Sequence, residues 1–169
     1  MSGKLIIRKC EADDVEKVRN VLRLSWQQAY SPFVPQKDLD YYLDKEYSIN
    51  RLQEIFHNPN FICFVATVEM KICGWLKLTI NKNENRFYLS SVYVLPENQK
   101  MKIGDKLYQI ARGEAKQKNY NEIYVGVIKQ NEIALKWYKK LGFEFFEELP
   151  FAMGNTSIPH LIGRLCLSK

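Results

Sequence analysis

Apolar positions recur along this chain with two periods, and the changes between them mark out strands and helices. Lys4 to Cys10 reads as a first strand. Asp13 then opens a helix, with Glu16 three residues on completing a capping-box pattern. Val15, Val18, Leu22, Trp26 and Ala29 run down one helical face to about Tyr30. Ser31-Pro32-Phe33-Val34-Pro35 ends it. A second, acidic helical stretch spans Asp38 to Asp44, and Ser48 to Phe56 predicts a third helix, closed by Asn58-Pro59. Phe61 to Glu69 and Lys71 to Ile80 form two strands joined tightly at Met70, a hairpin.

Polar residues 81–85 lead to a central strand, Tyr88 to Leu95, broken by Pro96 and Asn98. Ile103, Leu107, Ile110, Ala111 and Ala115 share the face of a further helix. Glu122 to Ile128 is a strand, Asn131 to Leu141 a helix stopped by Gly142, and Phe143 to Glu148 and His160 to Leu167 are the last two strands. With no internal repeat and no linker, this order predicts one α/β (α+β) domain over residues 1–169, a mixed twisted sheet of about seven strands flanked by helices.

Composition narrows the class. A chain of 169 residues with 46% apolar content holds one well-cored domain. Its apolar runs are too short for a membrane span, and the charged opening lacks the apolar core of a signal peptide, so a cytoplasmic protein is expected. The net charge of +6 comes from scattered lysines with no basic helix or basic-aromatic repeat. That distribution argues against nucleic acid and suits a polyanionic small molecule. Cys10, Cys63, Cys73 and Cys166 sit in apolar strand-like stretches, and His57 and His160 lie far apart. No metal site is predicted, and buried free thiols are the better reading.

Chemistry concentrates at residues 88–107. A strand that passes through the short basic loop Lys100-Met101-Lys102 into a helix aims unpaired N–H groups at one spot. With the helix dipole and nearby lysines, that spot suits phosphate. Neither a Walker loop nor a dinucleotide fingerprint is present.

Gln99-Lys100-Met101-Lys102-Ile103-Gly104 resembles the pyrophosphate loop of the GNAT family of N-acetyltransferases, Gln/Arg-x-x-Gly-x-Gly/Ala. Lys102 stands where that family has its first glycine, and a positive φ there costs a lysine about 1 kcal/mol. Asn131, Ala134, Tyr138, Gly142 and Phe143 match the second half of the signature, N-x-x-A-x-x-x-Y-x-x-x-G-F. As plain physics the same residues read as an amphipathic helix with Tyr138 in the core. Within the family the chain is similar to the PaiA-type spermidine/spermine acetyltransferases, through residues 25–30, the loop, the segment from Gly126 to Phe143, and Phe151 to Gly154.

The resemblance implies acetyl-CoA as cofactor, a small amine as acceptor and, as for many relatives, a homodimer. It also implies roles. Backbone groups of Val92, Tyr93 and Val94 would hold the pantetheine arm as an added strand, with the Val94 N–H polarising the thioester carbonyl. Gln99, Lys100, Met101, Lys102, Ile103, Gly104 and Asp105 would cradle the pyrophosphate. Asn131 would bond the pantetheine amide or steady the neighbouring strand, and Lys140 would touch the adenosine phosphates. Tyr138 would give its proton to the departing thiolate.

Leu89-Ser90-Ser91 lacks the carboxylate that relatives often carry as general base, so no base is assigned. Trp26 and Tyr30 would face a cationic amine or else pack as core. Asp38, Asp40, Asp44 and Glu46 would attract a polycation or form a solvated acidic face. Two other readings stay open: acetylation of a protein N-terminus or lysine, and a non-catalytic acyl-CoA-binding regulatory module.

Overall fold

The period-two segments form strands and the 3.6-period segments form helices. In the computed structural model, which describes residues 3–168, the chain runs β1 (Leu5–Lys9), α1 (Val15–Tyr30), α2 (Gln36–Glu46), α3 (Ile49–His57), β2 (Phe61–Val68), β3 (Lys71–Asn81), β4 (Arg86–Val94), α4 (Ile103–Gln117), β5 (Glu122–Ile128), α5 (Glu132–Leu141), β6 (Glu144–Met153) and β7 (Thr156–Cys166). The strands make one seven-stranded sheet in the order β1-β2-β3-β4-β5-β7-β6. Among the described residues only β4 and β5 run parallel; the other neighbours are antiparallel. Fold class and element order are as the sequence predicts. No described helix is long and apolar enough to cross a membrane.

Side-chain alternation assigns the helices to faces. Trp75 of β3 packs against Tyr47, so α1, α2 and α3 cover that face. Gly74 points the other way, where a Cβ would lie 3.3 Å from Ile103 of α4. Helix α1 buries Val15, Val18, Val21, Leu22, Trp26 and Tyr30. Each fully buried aliphatic among them contributes about 1.5–3 kcal/mol. At the β2–β3 hairpin Glu69 and Met70 both take positive φ, 51° and 66°, which matches a type I′ turn to the strand twist.

Three sequence expectations change. The capping box at the start of the first helix is formed by Glu11 and Asp14, not Asp13 and Glu16, because a 3₁₀ turn over Ala12–Asp14 precedes α1. The buried Asp14 carboxylate accepts the Glu11 N–H at 2.8 Å and two bonds from Arg8 at 2.7 and 2.9 Å. Strands β6 and β7 extend into one long hairpin through Pro150 and Pro159, which lie opposite each other. Both are tolerated: β6 is a sheet edge, and β5 stops opposite His160, one residue short of Pro159. Cys166 is exposed, whereas Cys63 and Cys73 are buried and Cys10 is half-buried.

The Arg8 guanidinium, helped by the Glu11 N–H, holds the Asp14 carboxyl below its ordinary range. A carboxyl lowered in the folded state stabilises fully above its unfolded value, about 3.9, and the gain disappears as pH falls through the lower folded value. Asp14→Asn should therefore cost about 1–3 kcal/mol at neutral pH and flatten the acid limb of stability below about pH 4. Denaturant titrations across that range check both; an unchanged acid limb would refute the assignment.

Candidate active site

Strands β4 and β5 share a single register pair, Tyr88 with Tyr124, and none beyond it. A bulge helps part them. Lys77 pairs with Ser91 but Leu78 pairs with Leu89, which leaves Ser90 unpaired, its hydroxyl 2.6 Å from that of Thr79. Further along β4, the Leu95 N–H bonds to the Cys73 carbonyl at 2.8 Å. Antiparallel alternation then turns the backbone of Tyr93 toward Trp75 and the N–H and C=O of Val92 and Val94 toward the gap. Tyr93 is thus a correction: its backbone belongs to the β3 ladder, and it reaches the site through its side chain. The Val94 carbonyl accepts Gln99 Nε2–H at 3.2 Å, which leaves the Val94 N–H facing the gap.

Below the gap, Pro96–Met101 forms a 3₁₀ turn rather than an open loop. Proline at its start fixes φ for such a turn and lacks only a donor the turn does not use. The exposed Gln99 side chain bonds Gln28 of α1 at 3.0 Å as well as the Val94 carbonyl. Lys100 and Met101 lie in the turn, whose i→i+3 bonds occupy backbone donors. Lys102 adopts the left-handed conformation, φ 55° and ψ 28°. The first backbone bond into α4 is Lys106 N–H to Lys102 C=O at 3.3 Å, so the N–H groups of Ile103, Gly104 and Asp105 point outward at the positive end of the helix. A Cβ on Gly104 would meet Trp137 at an ordinary 3.6 Å, so packing does not require a glycine there.

Trp137, to which the sequence reading gave no role, ties the two motifs together. Its Nε1–H donates to Asp105 Oδ1 at 2.9 Å, linking α5 to the first turn of α4. The neighbouring Tyr138 ring is buried, 7% exposed, against Trp137 and Phe143. Its hydroxyl has no hydrogen-bond partner among the described residues and is not among their fully sealed polar atoms. Burial, with Tyr30 nearby, pushes the phenol above its ordinary range. Asn131 caps α5 by accepting the Ala134 N–H at 3.2 Å. Lys140 lies on the exposed face of α5.

Trp26 and Tyr30 are only 4% and 7% exposed. They stand in an aromatic wall with Tyr42, Tyr47 and Tyr93, and the Tyr30 and Tyr93 hydroxyls are 3.3 Å apart. The ammonium that wall meets is the chain's own: Lys77 Nζ donates to the Tyr47 hydroxyl at 2.9 Å and sits 4.8 Å from the ring centre. The acidic stretch of α2 is largely engaged as well. Asp38 accepts the Asn155 N–H at 3.1 Å and the Thr156 hydroxyl at 2.6 Å, clipping α2 to the β6–β7 hairpin. Gly154 between them has no room for a Cβ, which would fall 2.5 Å from Asp38 Oδ1. Asp44 pairs with Arg19, and Asp40 accepts from Gln36.

A sheet parted beside a phosphate-ready helix start, with a buried phenol near by, suits a ligand that carries a diphosphate and an extended arm. Residues 18–143 match the model of the Acetyltransferase (GNAT) family, and the chain belongs to it as an acetyl-CoA-dependent N-acetyltransferase. It is 27% identical to the spermidine N(1)-acetyltransferase of Thermoplasma acidophilum, covering 82% of this chain and 87% of that one. An uncharacterised N-acetyltransferase of Lactobacillus delbrueckii is 21% identical, covering 92% of each chain. The crystal structure of the Thermoplasma acidophilum PaiA N-acetyltransferase in complex with coenzyme A superposes with a TM-score of 0.85 at 24% identity, covering 96% of this chain and 99% of that one.

The left-handed lysine gives a direct test of loop geometry. Lys102→Gly should raise stability by about 1 kcal/mol, because glycine enters that region without the Cβ penalty. Chemical denaturation reads the change, and a destabilised variant would show that the Lys102 side chain holds the loop.

Proposed function

We propose that this chain acetylates a primary amine of a small polyamine such as spermidine or spermine, with acetyl-CoA as donor. The observation that carries the reading is the β4–β5 gap, with the outward backbone of Val92 and Val94 above the free donors of α4. Coenzyme A supplies an acetyl thioester, a carbonyl activated toward nitrogen. The unpaired edge of β4 suits an extended amide-bearing arm, which adds like a strand. The Val94 N–H suits the oxygen of the thioester, where developing negative charge needs a fixed donor.

Ile103, Gly104 and Asp105 offer three converging N–H groups to a diphosphate, with Lys102 charge beside them. Glycine at position 104, unforced by packing, fits close approach of a phosphate to the backbone. The Asn131 side-chain carbonyl is committed to its helix cap, and its amide N–H lies near the Tyr30 hydroxyl, so Asn131 serves to steady this end of the cleft. Tyr138 keeps its proton at neutral pH because burial disfavours phenolate, and it gives that proton to the thiolate as the thiol leaves. The named activity of the Thermoplasma relative supports a polyamine acceptor. Trp26 and Tyr30 shape the cleft wall from within rather than offering an open face to the amine.

With acetyl-CoA and a panel of amines, CoA release should be fastest with spermidine or spermine. Tyr138→Phe should lower that rate about 100-fold or more while acetyl-CoA affinity is largely kept. Unchanged turnover removes Tyr138 from the acid role, and activity on peptides with none on polyamines replaces the acceptor.

A further inference from the structure

The acceptor ammonium must lose a proton, and the serines of β4 offer no base. The Ser90 hydroxyl is bonded to Thr79, Ser91 is buried, and a hydroxyl is a weak base in either case. Lys77 is a cation donating to Tyr47, Glu122 accepts the Tyr124 hydroxyl at 2.7 Å, and Glu148 is paired with Lys129 at 3.0 Å. We propose that His160 is the general base of this site, an assignment that rests on the acetyl-transfer reading above.

The hydrogen-bond pattern of the ring comes first. His160 on β7 stands opposite Ile128 of β5 and Leu149 of β6. Its Nδ1 lies 2.8 Å from the Leu149 carbonyl. A carbonyl only accepts, so the hydrogen sits on Nδ1 and the neutral ring carries its lone pair on Nε2. Nε2 has no hydrogen-bond partner among the described residues. The tautomer a base needs is therefore fixed by the backbone of the neighbouring strand.

Place comes second. A Cβ on Gly126 would lie 3.1 Å from His160 Cδ2 and 3.6 Å from Nε2, so the basic edge of the ring lies over Gly126 in space that glycine leaves open. Gly126 is two residues beyond Tyr124, as Ser90 is two beyond Tyr88, the one pair that β4 and β5 share. Nε2 thus stands where the strands begin to part, on the sheet face covered further along by α1 and α2. Phe151 packs edge-on to the imidazole at 5.3 Å, and Tyr42 and Trp26 continue that row. Aromatic contact on one side and the Leu149 bond on the other hold the ring in orientation.

In the step this assigns, the nitrogen–carbon bond to the acetyl group forms and the carbon–sulfur bond breaks. The ammonium proton passes to His160 Nε2 before attack, the Tyr138 proton passes to sulfur, and the second nitrogen proton leaves the adduct to solvent, so that the amide is neutral. Solvent then takes the proton from His160 and restores that of Tyr138.

His160→Asn keeps an amide donor for Leu149 and has no basic nitrogen; His160→Gln sets an amide near the Nε2 position. With an alkylamine acceptor both should lose about 10²- to 10⁴-fold in kcat/KM, with acetyl-CoA affinity unchanged by calorimetry. Methoxyamine, a much weaker base already neutral at pH 7, should be acetylated by the variants within about threefold of wild type, since no proton needs removing first. Added imidazole should restore part of the alkylamine rate. Equal losses with both acceptors, or no loss with the alkylamine, would overturn the assignment and leave acetyl transfer standing. A wild type that binds acetyl-CoA but turns over no amine would overturn both.

Discussion

Two parallel strands that touch at one register pair and then separate leave backbone donors and acceptors without a ladder, and the rest of the structure is arranged around that opening. The gap persists because each half of the sheet is complete without the other. β4 is bonded along its far edge by β3, from Asn81 with Arg86 to Gly74 with Val94. β5 is bonded over its whole length by β7, from Glu122 with Cys166 to Ile128 with His160. Closing the gap would require β4 to straighten its bulge, which the Thr79–Ser90 hydroxyl bond holds in place. Buried backbone polar groups seldom stay unpaired, so an edge like that of Val92 and Val94 belongs beside water or a ligand able to bond it.

Long-range polar ties, more than apolar packing, set the parts around the gap. Gln99 joins the turn to α1 and β4, Trp137 joins α5 to the start of α4, and Asp38 clips α2 to the β6–β7 hairpin. Each has a defined direction, which apolar contact lacks. The Trp137 bond sets the helix that carries Tyr138 relative to the turn whose N–H groups point outward. The same economy explains the acidic stretch of α2. Two of its carboxylates, Asp38 and Asp44, look like surface charge in the sequence and tie α2 to other elements in the structure.

Most of the fold was legible from periodicity, since hydrophobic spacing of two or 3.6 survives in any single-chain reading. The α4 face, the α5 motif and the left-handed strain at Lys102 were all visible. What was not visible depended on register between distant segments. Nothing near Asp14 announces Arg8 as its partner, so Asp13 looked the better cap. The strand predictions stop short of Pro150 and Pro159, whose place opposite each other within the hairpin depends on pairing. The outward direction of Val92 and Val94, and the inward one of Tyr93, follow from a single Leu95–Cys73 bond. His160 read as an isolated histidine because Leu149 and Gly126, which orient it and make room for it, lie in other strands.

The burial of Tyr138 raises a difficulty for the acid role proposed for it and also resolves it. A phenol pushed above its ordinary range releases its proton less readily, which taken alone would slow donation to a thiolate. The desolvation that disfavours phenolate disfavours a thiolate formed in the same cleft, so the acceptor gains proton affinity alongside the donor. The match holds only while both atoms share that low-dielectric space, and the walls supply it: Trp26, Tyr30 and Tyr93 are packed ring against ring, with the Tyr30 and Tyr93 hydroxyls satisfying each other. On this view the aromatic wall acts through the dielectric of the cleft. Its rings need not touch the amine to govern the proton that ends the reaction.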